Sequence, residues 1–283
     1  TRDGIDILKI YIGNISMRID PEQARTLLTA LLAHDVKIAV ELGGLLDWHA
    51  DKGGRTAEAS FAQDFGNVKP LIDLIRDIDP SRSIDMLDMD GPIRRMLHPS
   101  NNLRTVHTLE SAVDELSKVV RLWRDSIPGI EMNLLTNFPN LSWNGTPAYY
   151  ANSGSRNGYG KYEDVLAAIE EEGAASGLVL DGLTVDNPYD YATGRAQSNQ
   201  ASLIAGVDWM QRLNELQVRA RQLGWKVNMI FNTNGGRTAS GYAEQTLALI
   251  DLYHARVGKP DGYWIQSWYQ LPGAWLPESE PHT

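Results

Sequence analysis

Ile7-Leu8-Lys9-Ile10-Tyr11-Ile12-Gly13-Asn14 holds the first strand-length apolar run of the chain and the turn that follows it. This stretch decides between the two folds open to a chain of repeated strand–helix units. A doubly wound sheet that binds a dinucleotide carries G-x-G-x-x-G at this turn, because only glycine lets the backbone approach a pyrophosphate at a helix N-terminus. Ile12-Gly13-Asn14 has no such spacing. What remains is a barrel of parallel strands.

Outward from this turn, apolar runs of strand length alternate with amphipathic stretches of helix length. The strand candidates are Ile7–Ile12, Lys37–Leu42, Ile84–Met89, Ile130–Thr136, Leu178–Val185, Val227–Phe231 and Tyr263–Trp268. Between them lie the helix candidates Pro21–His34, Val68–Ile78, Thr108–Ser126, Tyr162–Ala175, Ala201–Leu223 and Tyr242–Val257. Asp20-Pro21 is an N-cap followed by proline at the first helical position, and Leu223-Gly224 closes a helix. Repeated units of this kind demand parallel strands joined by right-handed crossovers. The expectation is an α/β chain with a (β/α)8 TIM barrel. Its eighth strand is not visible, so that strand precedes Thr1 or the barrel is incomplete. No linker or low-complexity tract divides residues 1–283, which read as a single catalytic barrel domain.

Composition narrows the function. With 42% hydrophobic and 22% charged residues the chain can build a large core, and no apolar run approaches the ~20 residues of a membrane span. A formal charge of −10 without a basic run argues against nucleic acid as a partner. The absence of cysteine excludes disulfides, thiolate metal sites and cysteine nucleophiles. The six histidines lack paired ligand spacing, so neither a zinc site nor a cofactor is expected. Eight Trp and 11 Tyr against four Phe favour half-wet surfaces of the kind that stack sugar rings.

Strand side chains alternate between two faces, and in a barrel the face opposite the helices points inward. The inward sets are Lys9 and Tyr11; Ala39 and Glu41; Met86, Asp88 and Asp90; Asn133 and Asn137; Thr184 and Asp186; Asn228, Asn232 and Asn234; and Trp264, Gln266 and Trp268. Nearly all of these sets end, at the C-terminal edge of the strand, in a carboxylate, an amide or a tryptophan. Barrel enzymes place their active sites there, and an aliphatic barrel core has no use for such residues. Glycosidases need two carboxylates, one proton donor and one base or nucleophile. Asp90 and Asp186 both end a strand just before a turn residue and a proline, which makes them the first pair, with Glu41 as the third carboxylate. Asp88 lies one step deeper, placed to raise the pKa of an acid at Asp90 or to orient Lys9. Gly182 and Thr184, small residues on the face of Asp186, are expected to leave room for substrate.

Two strands carry a family resemblance. Ile84-Asp85-Met86-Leu87-Asp88-Met89-Asp90 resembles the D-x-x-D-x-D strand of chitinase-like barrel glycosidases; the likeness stops at Pro92, where those enzymes carry a glutamate. Asp181-Gly182-Leu183-Thr184-Val185-Asp186-Asn187 is similar to the D-G-x-x-x-D-N strand of barrel glycosidases that cut galactosamine-containing polymers. The second resemblance implies a catalytic carboxylate at Asp186.

The combined expectation is a secreted or periplasmic glycosidase that cleaves a polysaccharide or oligosaccharide. In it Asn137 and Asn232 bond sugar hydroxyls, and Asp88 and Lys9 complete the polar lining. Trp264 and Trp268 form a stacking floor, with Trp48, Trp143 and Tyr189 added from loops. Two rival readings use the same residues: a metal-assisted lyase or phosphodiesterase, and a carbohydrate-binding barrel without catalysis.

Overall fold

The computed structural model describes residues 4–15, 20–43, 45–46, 56–97, 107–138, 143–144, 161–194, 206–233 and 238–267. Seven strands alternate with helices along it. They are β1 (Ile7–Tyr11), β2 (Lys37–Gly43), β3 (Met86–Asp90), β4 (Glu131–Asn137), β5 (Gly182–Asp186), β6 (Lys226–Phe231) and β7 (Gly262–Ile265). The long helices are α2 (Pro21–Ala33), α3 (Ala57–Ile78), α5 (Leu109–Ser126), α6 (Tyr162–Ser176), α8 (Trp209–Gln222) and α9 (Ala239–Arg256). Three short helices, α1 (Ile12–Ile15), α4 (Pro92–Leu97) and α7 (Tyr189–Ala192), follow directly on strand ends.

Every strand pairs in parallel with its sequence neighbour, in the order β1-β2-β3-β4-β5-β6-β7. A doubly wound sheet reverses its strand order at a switch point, and this sheet has no reversal. It curls instead into a barrel. Lys9 Nζ of β1 lies 4.9 Å from the ring centre of Trp264 in β7, and Gln266 Nε2, just past β7, reaches Glu41 Oε2 of β2 at 3.3 Å. The two edge strands thus face one another across the interior. Among the described residues no eighth strand pairs with either of them.

The core divides as strand alternation requires. Ile38, Val40, Leu42, Leu87, Met89, Met132, Leu134, Leu183, Val185, Val227, Met229 and Phe231 pack with the helices in one continuous cluster. Ala39, Met86, Leu135, Ile230 and Trp264 form a separate, much smaller cluster inside the sheet.

Several boundaries differ from the pattern-based ranges, and three of them have a clear local reason. Helix α3 begins at Ala57, well before Val68, because Thr56 Oγ1 accepts from Ala59 N and the rings of Phe61 and Phe65 pack on Trp123, 5.4 and 5.6 Å away. Strand β5 begins at Gly182, not Leu178, because Asp181 turns to bond the neighbouring strand. Helix α8 begins at Trp209, where Asp208 caps Gln211 N at 3.1 Å.

The N-terminal ends of the strands carry a repeated cap. Asp85 accepts from Ile38 N at 2.8 Å, Asp181 from Met132 N at 2.7 Å and Asp261 from Val227 N at 2.9 Å. Each carboxylate satisfies an amide of the preceding strand at the bottom of the barrel. Among the described residues no helix is long and apolar enough to cross a membrane.

Candidate active site

Neighbouring strands of a tilted barrel are staggered, so side chains at one height come from alternate strands. Following the register with one residue of stagger per strand places Lys9 (β1), Asp88 (β3), Thr184 (β5) and Trp264 (β7) in one layer. Contacts within that layer agree: Lys9 Nζ lies 3.2 Å from Asp88 Oδ2 and over the Trp264 ring, and Thr184 Oγ1 donates to Asp88 Oδ1 at 2.7 Å. The layer above holds Glu41, Leu135 and Ile230. Above it come Tyr11, Asp90, Asp186 and Gln266, with Asn137 and Asn232 at the rim. Glu41, Asp90, Asn137, Asp186 and Asn232 therefore stand at the C-terminal ends of five consecutive strands.

The acidic side chains meet around one ammonium. Lys9 Nζ, nearly enclosed, also contacts Glu41 Oε2 at 2.9 Å, and Gln266 donates to the same oxygen. Burial presses Lys9 toward its neutral form, but the charges of Asp88 and Glu41 outweigh burial and hold its pKa above the ordinary lysine value. Glu41 is raised, first by burial and then by Asp88 and Asp90, against the pull of Lys9. Asp186 is pushed up to about 7 by burial; Lys9 opposes the shift, while Glu41 and Asp90 add to it. Asp186 is 4% exposed, and its Oδ1 is buried without a hydrogen-bond partner among the described residues. Asn133 and Asn232, each 1% exposed, likewise leave both amide atoms without partners there. Buried polar groups in this condition call for water or ligand, so the interior is built to hold polar matter. The arrangement supplies a carboxyl that holds a proton near neutral pH beside carboxylates of like charge, as acid–base chemistry requires.

Several expected roles are corrected. Of the two roles expected of Asp88, the contacts are those of the second: it is fully buried, accepts from Lys9 at 3.2 Å and from Thr184 at 2.7 Å, and so orients Lys9. Gly182 leaves no open room, since a Cβ there would fall 2.7 Å from Asn133 Oδ1, which fills the space. Trp264 is 8% exposed and packed among Ala39, Met86, Leu135 and Ile230, an interior filler and not an open platform. Trp143 is buried on the helix side, with its ring 5.5 Å from that of Phe138 and its Nε1 bonded to Glu215. Tyr189, the first residue of α7, packs against the same helix-side core and donates its backbone N–H to Asn232 O at 2.8 Å. Trp48, Asn234 and Trp268 lie outside the described residues.

The mouth also brings in residues not singled out from the sequence. Tyr11 is 38% exposed and shares a layer with Asp90 and Asp186. Its hydroxyl lies over Gly43, where a Cβ would come within 2.5 Å of it, so glycine at 43 is what admits the ring. Gln266, with Oε1 unpartnered among the described residues, links Glu41 to the far edge. Both had the signal of inward parity at a strand's C-terminal end. Asn187 anchors the turn after Asp186 by donating to Phe138 O at 2.9 Å. Among the described residues no three or more His, Asp and Glu side chains are grouped to hold a metal ion.

No family model and no curated protein matches the chain. Among solved structures it is similar to the AHE enzyme from Alicyclobacillus herbarius, with 14% identity over 94% of this chain and 73% of that one and a TM-score of 0.48. It is also similar to the β-mannanase of Thermomonospora fusca, with 9% identity over 94% and 69% of the two chains and a TM-score of 0.42. A third is a putative phosphonomutase from Burkholderia cenocepacia, with 14% identity over 95% and 81% and a TM-score of 0.41.

Proposed function

We propose that the protein is a glycoside hydrolase acting on a polysaccharide or oligosaccharide outside the cytoplasm, with residues 1–283 as its catalytic barrel. Asp186 is the proton donor, Asp90 its partner across the sugar, and Glu41 the carboxylate that takes over if either fails. Asn137 and Asn232 bind hydroxyls at the rim, and Trp268 is the aromatic surface for a sugar ring. The observation that carries the reading is the buried Asp186 carboxyl at the mouth, pushed up to about 7 and facing Glu41 and Asp90. Glycosidic cleavage needs this pairing, because the leaving oxygen must be protonated while positive charge on the ring is met by an ionised carboxylate.

The test is Asp186→Asn, which keeps size and hydrogen bonding but cannot transfer a proton. On a panel of aryl glycosides and plant and bacterial polysaccharides, hydrolysis by the native protein should fall by at least ~10²-fold in the variant. Full activity in Asp186→Asn removes Asp186 from the mechanism. Binding of sugars without turnover by the native protein makes the barrel a binding module, and loss of turnover in chelator makes it metal-assisted.

A further inference from the structure

Lys9 is a buried charged group that the proposed reaction does not use, and it occupies an unusual place. Its side chain is 7% exposed, yet it makes two ion pairs, to Glu41 at 2.9 Å and Asp88 at 3.2 Å. Asp88 is held for this contact by the Thr184 hydroxyl at 2.7 Å, and Asn228 donates in turn to Thr184 at 3.4 Å. The Trp264 ring covers the ammonium from β7, and Gln266 holds Glu41 from the same edge. Lys9 therefore cannot swing toward the mouth without leaving two buried carboxylates unpaired. It sits one layer below Glu41 and two below Asp186 and Asp90.

We propose that Lys9 is a positioning residue for the reaction: fixed between Glu41 and Asp88, its ammonium sets how many protons the mouth carboxylates hold, and so the pH window of activity. The argument is one of charge. Glu41 and Asp88 contact one cation, Asp186 stands within reach of its charge, and Asp90 acts on both Glu41 and Asp186. A cation in a poorly hydrated interior favours the ionised form of every carboxylate near it. Lys9 lowers both Glu41 and Asp186, while Glu41 and Asp90 raise Asp186. Without Lys9 the carboxylates repel one another unopposed, and the group takes up protons at higher pH. Lys9 donates nothing to substrate in this scheme. It acts through Glu41 and Asp186.

This inference rests on the reading of Asp186 as the acid, so its test has a readout that does not depend on turnover. Lys9→Met removes the charge at similar volume, Lys9→Arg keeps it, and Lys9→Gln serves if the Met variant does not fold. Carboxyl 13C NMR of the full chain follows Asp186, its resonance assigned by loss in Asp186→Asn. In Lys9→Met or Lys9→Gln its titration midpoint should move to higher pH by about one unit or more, and Lys9→Arg should restore it. The pH–rate profile of whatever glycan the native protein hydrolyses should move in the same direction. An unchanged Asp186 titration in a folded neutral variant overturns the proposal even if the native protein is an active glycosidase. A shifted titration in a protein that hydrolyses no glycan upholds the role of Lys9 and overturns the glycosidase reading instead.

Discussion

Because its carboxyl is pushed up to about 7 from an ordinary value of 3.8, Asp186 binds its proton more tightly in the folded protein than in the unfolded chain. The sign follows by linkage: between about pH 4 and 7 the folded state holds more protons, so stability falls as pH rises through that window. Below it the carboxyl is protonated in both states and nothing is lost. Asp186→Asn should therefore be more stable than the native protein at pH 8, by on the order of a few kcal/mol, and the difference should shrink toward pH 4. Urea midpoints at the two pH values check this; an equal difference at both would remove the burial of a charge as its cause. The face of Asp186 and the greater depth of Asp88 relative to Asp90 are legible from alternation along their strands, but the depth of Trp264 is not. A period of two says which face a side chain takes, while its height depends on stagger between strands that no single segment records. Hence the deep Trp264 and the shallow Tyr11 could not be ranked from sequence.

At the scale of the element, the two carboxylates of Asp181-Gly182-Leu183-Thr184-Val185-Asp186 separate into different tasks. Asp181 stands at the N-terminal end of β5, where its Oδ2 accepts from Met132 N and from Arg124, each at 2.7 Å. Asp186 stands at the C-terminal end, in the group at the mouth. Structural support at one end and chemistry at the other is the division expected of a barrel. Asp181→Ala should cost about 1–3 kcal/mol, the range for a partly buried amide left without its acceptor, while kcat/KM stays within ~2-fold of the native value. A large loss of activity in a folded Asp181→Ala protein would place that carboxylate in the mechanism. The same reasoning fits Asp85 against Asp90. Sequence pattern located both strands, but not the start of β5, since the Asp181 cap depends on the neighbouring Met132 amide. The early start of α3 was hidden similarly: the apolar stripe weakens before Val68, and the Phe61 and Phe65 contacts to Trp123 become visible only in space.

Across the whole molecule, two cores of opposite character hold the barrel. The helix-side core is continuous and aliphatic, whereas the inner cluster of Ala39, Met86, Leu135, Ile230 and Trp264 is too small to fill a barrel by itself. Polar contacts supply the rest of the interior: Gln266 to Glu41, Glu41 to Lys9, Lys9 to Asp88, Asp88 to Thr184 and Thr184 to Asn228. This chain of contacts touches β1, β2, β3, β5 and β6 and the residue after β7, so it ties together strands that never pair. The repeated units made the parallel barrel legible, and the missing G-x-G-x-x-G removed its rival; cross-barrel ties join residues far apart in sequence and left no local trace. Buried ion pairs of this kind are costly to break singly and much less costly to replace together. Lys9→Met and Asp88→Leu should each destabilise by about 3–5 kcal/mol, and the double variant by less than the sum, with a coupling of at least ~1 kcal/mol. Glu41 keeps the coupling from cancelling fully, since it loses its cation in every variant that lacks Lys9. Denaturant unfolding of the four proteins measures the cycle. Additivity within ~0.5 kcal/mol would mean that β1 and β3 are held by their pairing with β2 and by the helix layer, and that the inner polar chain is present for chemistry without carrying the fold.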